Sequence, residues 1–120
     1  MPGTARSFIL FWKEAAVAWI YLLAAGILET LWAVAMKASN GFTLLIPSLI
    51  TVLAMIGSVA LLALAMKTLP LGTAYVVWTG IGAVGAFAAG VVIIGESLSL
   101  MRVTAAGFIV VGLIMMKASA

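Results

Sequence analysis

Long apolar intervals separated by single charged residues or short turns run along the whole chain. The polar boundaries fall near Lys37, Lys67 and Glu96. A bilayer hydrocarbon core of about 30 Å needs roughly 20 apolar residues of helix, and each interval supplies about one such span. The pattern therefore predicts an all-α integral membrane protein with helices at about 18–36, 44–66, 71–94 and 101–118.

Short turns between these spans agree with this division. Asn40 and Gly41 suit the left-handed conformation that often ends a helix, and Thr43 is a candidate cap for the second span. A Lys-Thr-Leu-Pro turn at 67–70 separates the second span from the third. Ser97 or Ser99 is the candidate cap of the fourth.

Composition excludes an ordinary soluble domain. Of the 120 residues, 67% are hydrophobic and 8% are charged, and the mean hydropathy is +1.38. The chain has no cysteine and no histidine, so we expect no disulfide, thiolate metal site or histidine general base. We predict neither a metal nor a cofactor. The net charge of +3 comes from basic residues scattered singly at helix ends, which favours membrane anchoring over nucleic-acid binding.

The distribution of basic residues gives no preferred orientation once the first 16 residues are set aside. Lys67 and Lys117 would lie on one side of the membrane, and Lys37 and Arg102 on the other. The positive-inside rule is then balanced. Such a chain can insert both ways up, and two inverted copies would form an antiparallel homodimer that resembles the inverted repeats of larger transporters.

Residues 1–16 form a predicted N-terminal extension to a transporter domain at 17–120. Its Arg6 and Lys13 shift the count of basic residues towards an N-inside orientation. The codons for the Lys13, Glu14 and Ala15 stretch can contain a ribosome-binding sequence, and Val17 can be a GTG start codon. A genuine N-terminal tail and a mis-assigned start both remain open, and the intact mass of the natively expressed protein distinguishes them.

Glu29 is the most informative residue because it lies in the middle of the first span with no ionisable partner well inside any other span. A charged group at mid-membrane is costly, and such residues usually face a protein interior or a wet cavity on an ion or proton pathway. A buried acid with a purely structural role is the alternative. The same helical face carries Leu22, Gly26, Trp32, Ala33 and Met36. Gly26 would leave room beside the carboxylate, and the Trp32 indole can donate to it or wall a cation site.

Three polar or aromatic residues in the second and third spans are candidates for the same site. Ser58 lies near the centre of its span, and Tyr75 and Trp78 are three residues apart. Each has a structural alternative. Ser58 can bond to the carbonyl of Ala54 in its own helix, and the two aromatic residues can belong to the interfacial belt.

Glycines in the third span fit the GxGxxG pattern of dinucleotide-binding proteins, but no βαβ unit surrounds them, so we reject that reading. Gly82, Ala86 and Gly90 recur every four residues, which permits close helix packing. Gly80 and Gly82 are candidate hinge positions.

Four blocks of sequence together resemble the small multidrug resistance family, and more closely its guanidinium-exporter branch. They are GILETLWAVAMKASNGFT, a Pro-Ser pair followed by Ser58, KTLPLGTAYVVWTGIGAVGA, and GESLSLMR. Trp32 and the Trp78-Thr79-Gly80 triplet are typical of the guanidinium branch. The quaternary-ammonium exporters usually have glycine in place of Trp32 and Trp-Ser-Gly in place of the triplet. Leu44 departs from the pattern, because many relatives carry arginine there.

This resemblance implies an antiparallel, dual-topology homodimer of four-helix subunits in the bacterial plasma membrane. It implies a transporter and not an enzyme, which exports guanidinium in exchange for protons at a site where both Glu29 side chains meet. Gly26, Trp32, Ser58, Tyr75 and Trp78 would line or order that site. Desolvation and the second Glu29 would both oppose ionisation, so protons and guanidinium would compete for the carboxylates.

Three alternatives stay open. The substrate can instead be a quaternary ammonium or another lipophilic cation. The chain can be one subunit of a heterodimer if the N-terminal charges fix its orientation. A non-transporting scaffold or a channel is the third, although a mid-membrane Glu29 argues against a scaffold.

Overall fold

The protein folds into four long helices in a computed structural model that describes residues 5–119. They are α1 (Ala5–Ala38), α2 (Leu45–Ala65), α3 (Leu71–Ala89) and α4 (Leu100–Ser119), and a π-helical segment (Gly90–Ile94) extends α3. All four, α3 together with its extension, are long and apolar enough to cross a membrane. The predicted all-α architecture with four spans is confirmed. Residues 1–4 of the predicted extension, and residue 120, lie outside the described residues.

The first helix is much longer than its apolar pattern predicts. It begins at Ala5 and not near residue 18, and it contains 34 residues. Residues 5–17 contain neither glycine nor proline, so nothing in them interrupts the helix. At about 1.5 Å per residue, α1 is about 51 Å long and exceeds the hydrocarbon thickness of about 30 Å.

The turn after α1 forms largely as expected, except for its capping residue. Asn40 and Gly41 have φ angles of 51° and 72°. Thr43 does not cap α2, because its hydroxyl donates back to the Asn40 carbonyl at 2.8 Å. The buried Ser39 organises the turn instead: its hydroxyl donates to the Met36 carbonyl at 2.6 Å and accepts the Phe42 N–H at 3.0 Å.

The third span ends in a wider turn that the sequence did not indicate. The Gly90 carbonyl accepts the N–H groups of both Gly95 and Glu96. Gly95 has a φ of 82°, which its missing side chain permits. Ser99 then accepts the Arg102 N–H at 3.2 Å. The prediction of a serine cap before α4 is therefore confirmed.

α1 is the central helix of the bundle. It packs against both α2 and α3, which also contact each other, and α4 packs on α3. The described chain measures 55 × 36 × 19 Å. Its core is built mainly from small and branched residues, among them Leu22, Ala25, Leu62, Ala74 and Val77, whereas α4 has no buried residue. One broad face of the α1 and α3 pair is thus open to a partner or to lipid.

Candidate functional site

The side chain of Glu29 lies in the contact between α1 and α3, directly against Gly82. A Cβ atom added to Gly82 would overlap the glutamate carboxyl group and lie 2.7 Å from its Cγ. Gly82 is buried, and only a residue without a side chain can occupy this position while the glutamate keeps its place. The acid is therefore held at a close helix–helix approach and is half-buried.

Two polar atoms in this region are buried without a hydrogen-bond partner among the described residues. They are Oε2 of Glu29 and Nε1 of Trp32. The first is an acceptor and the second is a donor. A buried polar atom without a partner costs about 1–3 kcal/mol, and nearly all such atoms in folded proteins are paired. This pair of atoms is the clearest indication of a missing ligand or partner in the site.

Ser58 joins three helices one turn before the acid. Its hydroxyl donates to the Ala25 carbonyl of α1 at 2.6 Å and accepts the indole N–H of Trp78 from α3 at 2.9 Å. The bond to its own helix at Ala54, which we considered from sequence, does not form. The Ser58 hydroxyl has one proton and donates it in the hydrogen bond to the Ala25 carbonyl. It therefore cannot also donate to Glu29 in this arrangement.

The two aromatic residues of α3 pack against each other with ring centroids 5.5 Å apart. Trp78 is 9% exposed and Tyr75 is 51% exposed. Trp78 therefore belongs to the packed core, where its N–H is satisfied by Ser58. Tyr75 points outward from the subunit, and its hydroxyl is available to a ligand or to a second copy of the chain.

The space beside Gly26, the remaining predicted site residue, is filled by a side chain of α3. A Cβ added there would lie 2.5 Å from Cγ2 of Ile81, so Gly26 brings α1 and α3 together and leaves no space beside the carboxylate. One turn further on, Gly85 meets Thr30 in the same way. Gly26, Glu29 and Thr30 thus form the row of α1 that receives α3.

The glycines predicted from the spacing of four do not form one interface. Gly82 faces α1, whereas a Cβ added to Gly80 would meet Leu113 of α4. Gly90 approaches the side chain of Glu96 within its own turn, and Ala86 is half-buried. The α3 helix continues through Gly80 and Gly82 without interruption, so no break marks them as hinges.

Chemically, the described residues offer one carboxylate at a crowded helix contact, a buried tryptophan N–H without an acceptor one helical turn along α1, and an exposed tyrosine on α3. No group of three or more metal-ligating side chains exists among residues 5–119. A partly buried carboxylate within a membrane span can hold a proton or an organic cation.

A family-level sequence model described as "Small Multidrug Resistance protein" matches residues 17–114. The chain belongs to the small multidrug resistance family. This small multidrug resistance protein is a multi-pass protein of the bacterial inner membrane, as its four apolar spans and its family indicate.

Curated relatives of this family member are similar over nearly their full length. A guanidinium exporter of Citrobacter freundii is 55% identical over 103 residues, which cover 86% of this chain and 98% of the relative. A guanidinium exporter of Salmonella typhi is 56% identical over 104 residues, which cover 87% and 99%. One of Yersinia pseudotuberculosis is 56% identical over 101 residues, which cover 84% and 97%.

Sequence reasoning missed three residues that shape the site. Ile81, Thr30 and Gly85 complete the contact between α1 and α3. Thr30 could have been noticed because it is polar and adjacent to Glu29, but its hydroxyl donates to the Gly26 carbonyl at 3.2 Å, within its own helix. The other two depend on how α3 is rotated against α1, which the periodicity of one helix does not specify.

We predict that Gly82→Ala destabilises this family member, because the new methyl group and the Glu29 carboxyl group cannot occupy the same space. Overpacking of this kind typically costs about 1–3 kcal/mol. The thermal unfolding midpoint of the purified protein in detergent should fall. Gly72→Ala in the first turn of the same helix is the matched control, since a Cβ there meets nothing within 4 Å. The double variant Glu29→Ala, Gly82→Ala should regain part of the loss, and no recovery would contradict the proposed overlap.

We predict that Ser58→Ala lowers stability because it leaves the buried Trp78 N–H without an acceptor and removes the bond to Ala25. An unsatisfied buried donor costs about 1–3 kcal/mol. Ser48→Ala is the control, since the Ser48 hydroxyl bonds only to the Leu44 carbonyl of its own first turn. Equal thermal midpoints for the two variants would show that the three-helix bond contributes nothing.

Proposed function

We propose that this protein exports guanidinium in exchange for protons, and that Glu29 binds both. The observation that carries the proposal is the buried carboxylate oxygen of Glu29, which has no partner within residues 5–119. The choice of substrate is supported by the relatives that are 55–56% identical to this chain, because they are named guanidinium exporters.

Guanidinium matches this acceptor by shape as well as by charge. It is a planar ion whose N–H groups form a fork, and one carboxylate accepts two of them in parallel. A spherical or fully methylated cation has no such donors. Aromatic faces add cation–π attraction of about 0.5–2 kcal/mol, and we assign this role to Trp32 and Tyr75.

Trp78 and Ser58 have an ordering role in the proposal. Their hydrogen bonds to each other and to Ala25 fix the turn of α1 that precedes Glu29. Gly26 contributes by allowing α3 to approach that turn. Gly82 keeps the space that the carboxylate occupies.

Exchange follows from competition for one group. A protonated Glu29 is neutral and has lost one of its acceptors, so it no longer attracts the cation. A bound guanidinium stabilises the charged carboxylate and expels the proton. If the empty, ionised site cannot reorient through the membrane, each transport step needs one ligand or the other. Proton movement and guanidinium movement are then coupled in opposite directions.

The transporting unit of the proposal is an antiparallel homodimer with dual topology. The flat subunit leaves Glu29 half-exposed and Tyr75 exposed, and α4 is unburied. A second, inverted copy would cover these residues and bring a second Glu29 to the site. Rocking one copy against the other would then expose the site to alternate sides.

We predict that Glu29→Gln abolishes guanidinium-driven proton flux in liposomes that contain purified protein. Glutamine keeps the size of the side chain but loses both the charge and the titrating group. Glu96→Gln is the matched control, because Glu96 lies in an exposed turn. Appreciable flux in Glu29→Gln, or uptake of tetraalkylammonium by the unaltered protein that guanidinium does not compete with, would contradict the proposal.

We predict that both ends of the subunit are accessible from outside the cell. The chain has no cysteine, so Ser119→Cys and Asn40→Cys each introduce a single label site, at opposite ends of the spans. A membrane-impermeant maleimide applied to intact spheroplasts should label a fraction of each variant. Labelling confined to one variant would show a fixed orientation, and the dual-topology dimer would be wrong.

A further inference from the structure

A groove lies where the extended part of α1 passes the end of α2. Its walls come from one face of α1, at positions three and four residues apart, and from the turn after α2. It has a volume of about 440 Å³. We call it the lysine groove, and the residues that matter for its chemistry are Lys13, Glu14, Val17, Tyr21, Leu64 and Lys67.

The groove concentrates positive charge. Lys13 and Lys67 both line it, and among residues 5–119 neither ammonium group has an ion-pair partner within the groove or elsewhere. Glu14 is the one acid in the wall. Tyr21 adds a phenolic hydroxyl. The groove is therefore net positive and rich in donors.

Its position in the fold corresponds to the surface of the membrane. The 21 residues of α2 rise about 32 Å, which matches a hydrocarbon core of about 30 Å. Lys67 follows the last residue of that helix, Ala65, by two positions and so lies at the headgroup level. Below the lysines, Val17 and Leu64 are 38% and 40% exposed and offer an apolar wall on the membrane side.

The extension itself has the character of an interfacial segment. Residues 8–12 are five consecutive large apolar residues, each at least 46% exposed. The Trp12 ring contacts those of Phe8 and Phe11 edge-on, with centroids 6.0 and 5.7 Å apart. Aromatic side chains of this kind concentrate at the level of lipid headgroups.

We propose that the lysine groove binds the headgroup of an anionic phospholipid, with its phosphate between Lys13 and Lys67 and an acyl chain along Val17 and Leu64. Basic pockets between membrane helices select such headgroups. A second copy of this chain is a poorer occupant. Both ends of the subunit carry more basic than acidic residues, so a copy packed here in either orientation would meet the lysines with like charge.

The test is native mass spectrometry of the full chain in detergent with equal amounts of phosphatidylglycerol and phosphatidylethanolamine. The unaltered protein should retain phosphatidylglycerol preferentially. Lys13→Gln and Lys67→Gln should each lower the ratio of bound phosphatidylglycerol to bound phosphatidylethanolamine about fivefold. This change corresponds to the loss of one lysine near an anionic surface. Glu14→Gln should raise the ratio.

Variants that change the charge at the opposite end of the subunit distinguish binding in the lysine groove from a general electrostatic attraction of the anionic lipid to the protein. The double variant Lys37→Gln, Arg102→Gln removes two cations, and Glu96→Gln removes one acid, with no change in the groove. Neither should alter the lipid ratio. Equal effects at both ends, or no preference in the unaltered protein, would overturn the proposal.

Two further arms distinguish the other occupants. Inorganic phosphate at the concentration of the lipid should not displace phosphatidylglycerol; displacement would mean a simple anion site. Leu10→Cys, at the rim of the groove, should give no disulfide-linked dimer under oxidising conditions in membranes. A linked dimer would show that a second copy in the same orientation fills the groove, and the lipid assignment would be wrong.

Discussion

The close approach of α3 to α1 at Gly82 decides how the acid of this protein is held. Gly26, Gly82 and Gly85 remove the side chains that would separate the two helices, and Glu29 and Thr30 fill the space that Gly82 and Gly85 leave. A carboxylate in such a contact loses water without gaining a partner, and one of its oxygens is buried and unpaired. The interaction that joins the helices therefore also leaves an unpaired acceptor, which is what a cation-binding site requires.

Ser58 complements this contact one turn away along α1. Its two hydrogen bonds satisfy a core tryptophan and attach α2 to the turn that precedes Glu29. The buried Ser58 and Trp78 side chains are paired in this way, whereas Glu29 and Trp32 each keep one buried polar atom without a partner among the described residues. The contrast separates groups that stabilise the subunit from groups available to a ligand, although all of them lie within about two turns of the same helices.

The sequence carries enough information for the four spans, because hydropathy over 20 residues depends on length and composition alone. Glu29 is equally apparent as a mid-membrane acid. Partners across helices were not predictable: Ser58 bonds to Ala25 and not to Ala54, and Gly82 faces Glu29, because both depend on helix rotation and depth. The continuation of α1 to Ala5 was missed for another reason. The hydropathy pattern indicates how much helix a membrane holds, not where the helix stops.

The two unpaired atoms, Oε2 of Glu29 and Nε1 of Trp32, require different hydrogen-bond partners. This difference is an argument for a dimer. Guanidinium carries donors only, so it can satisfy the Glu29 oxygen but offers nothing to the Trp32 N–H. That donor needs an acceptor of its own, and none lies within the part of the subunit described here. A carboxylate from a second copy, or a water that it orders, would supply one. A dimer would thus complete the site for Trp32 as well as adding a second charge for the cation, and a single flat subunit provides only the first half of that chemistry.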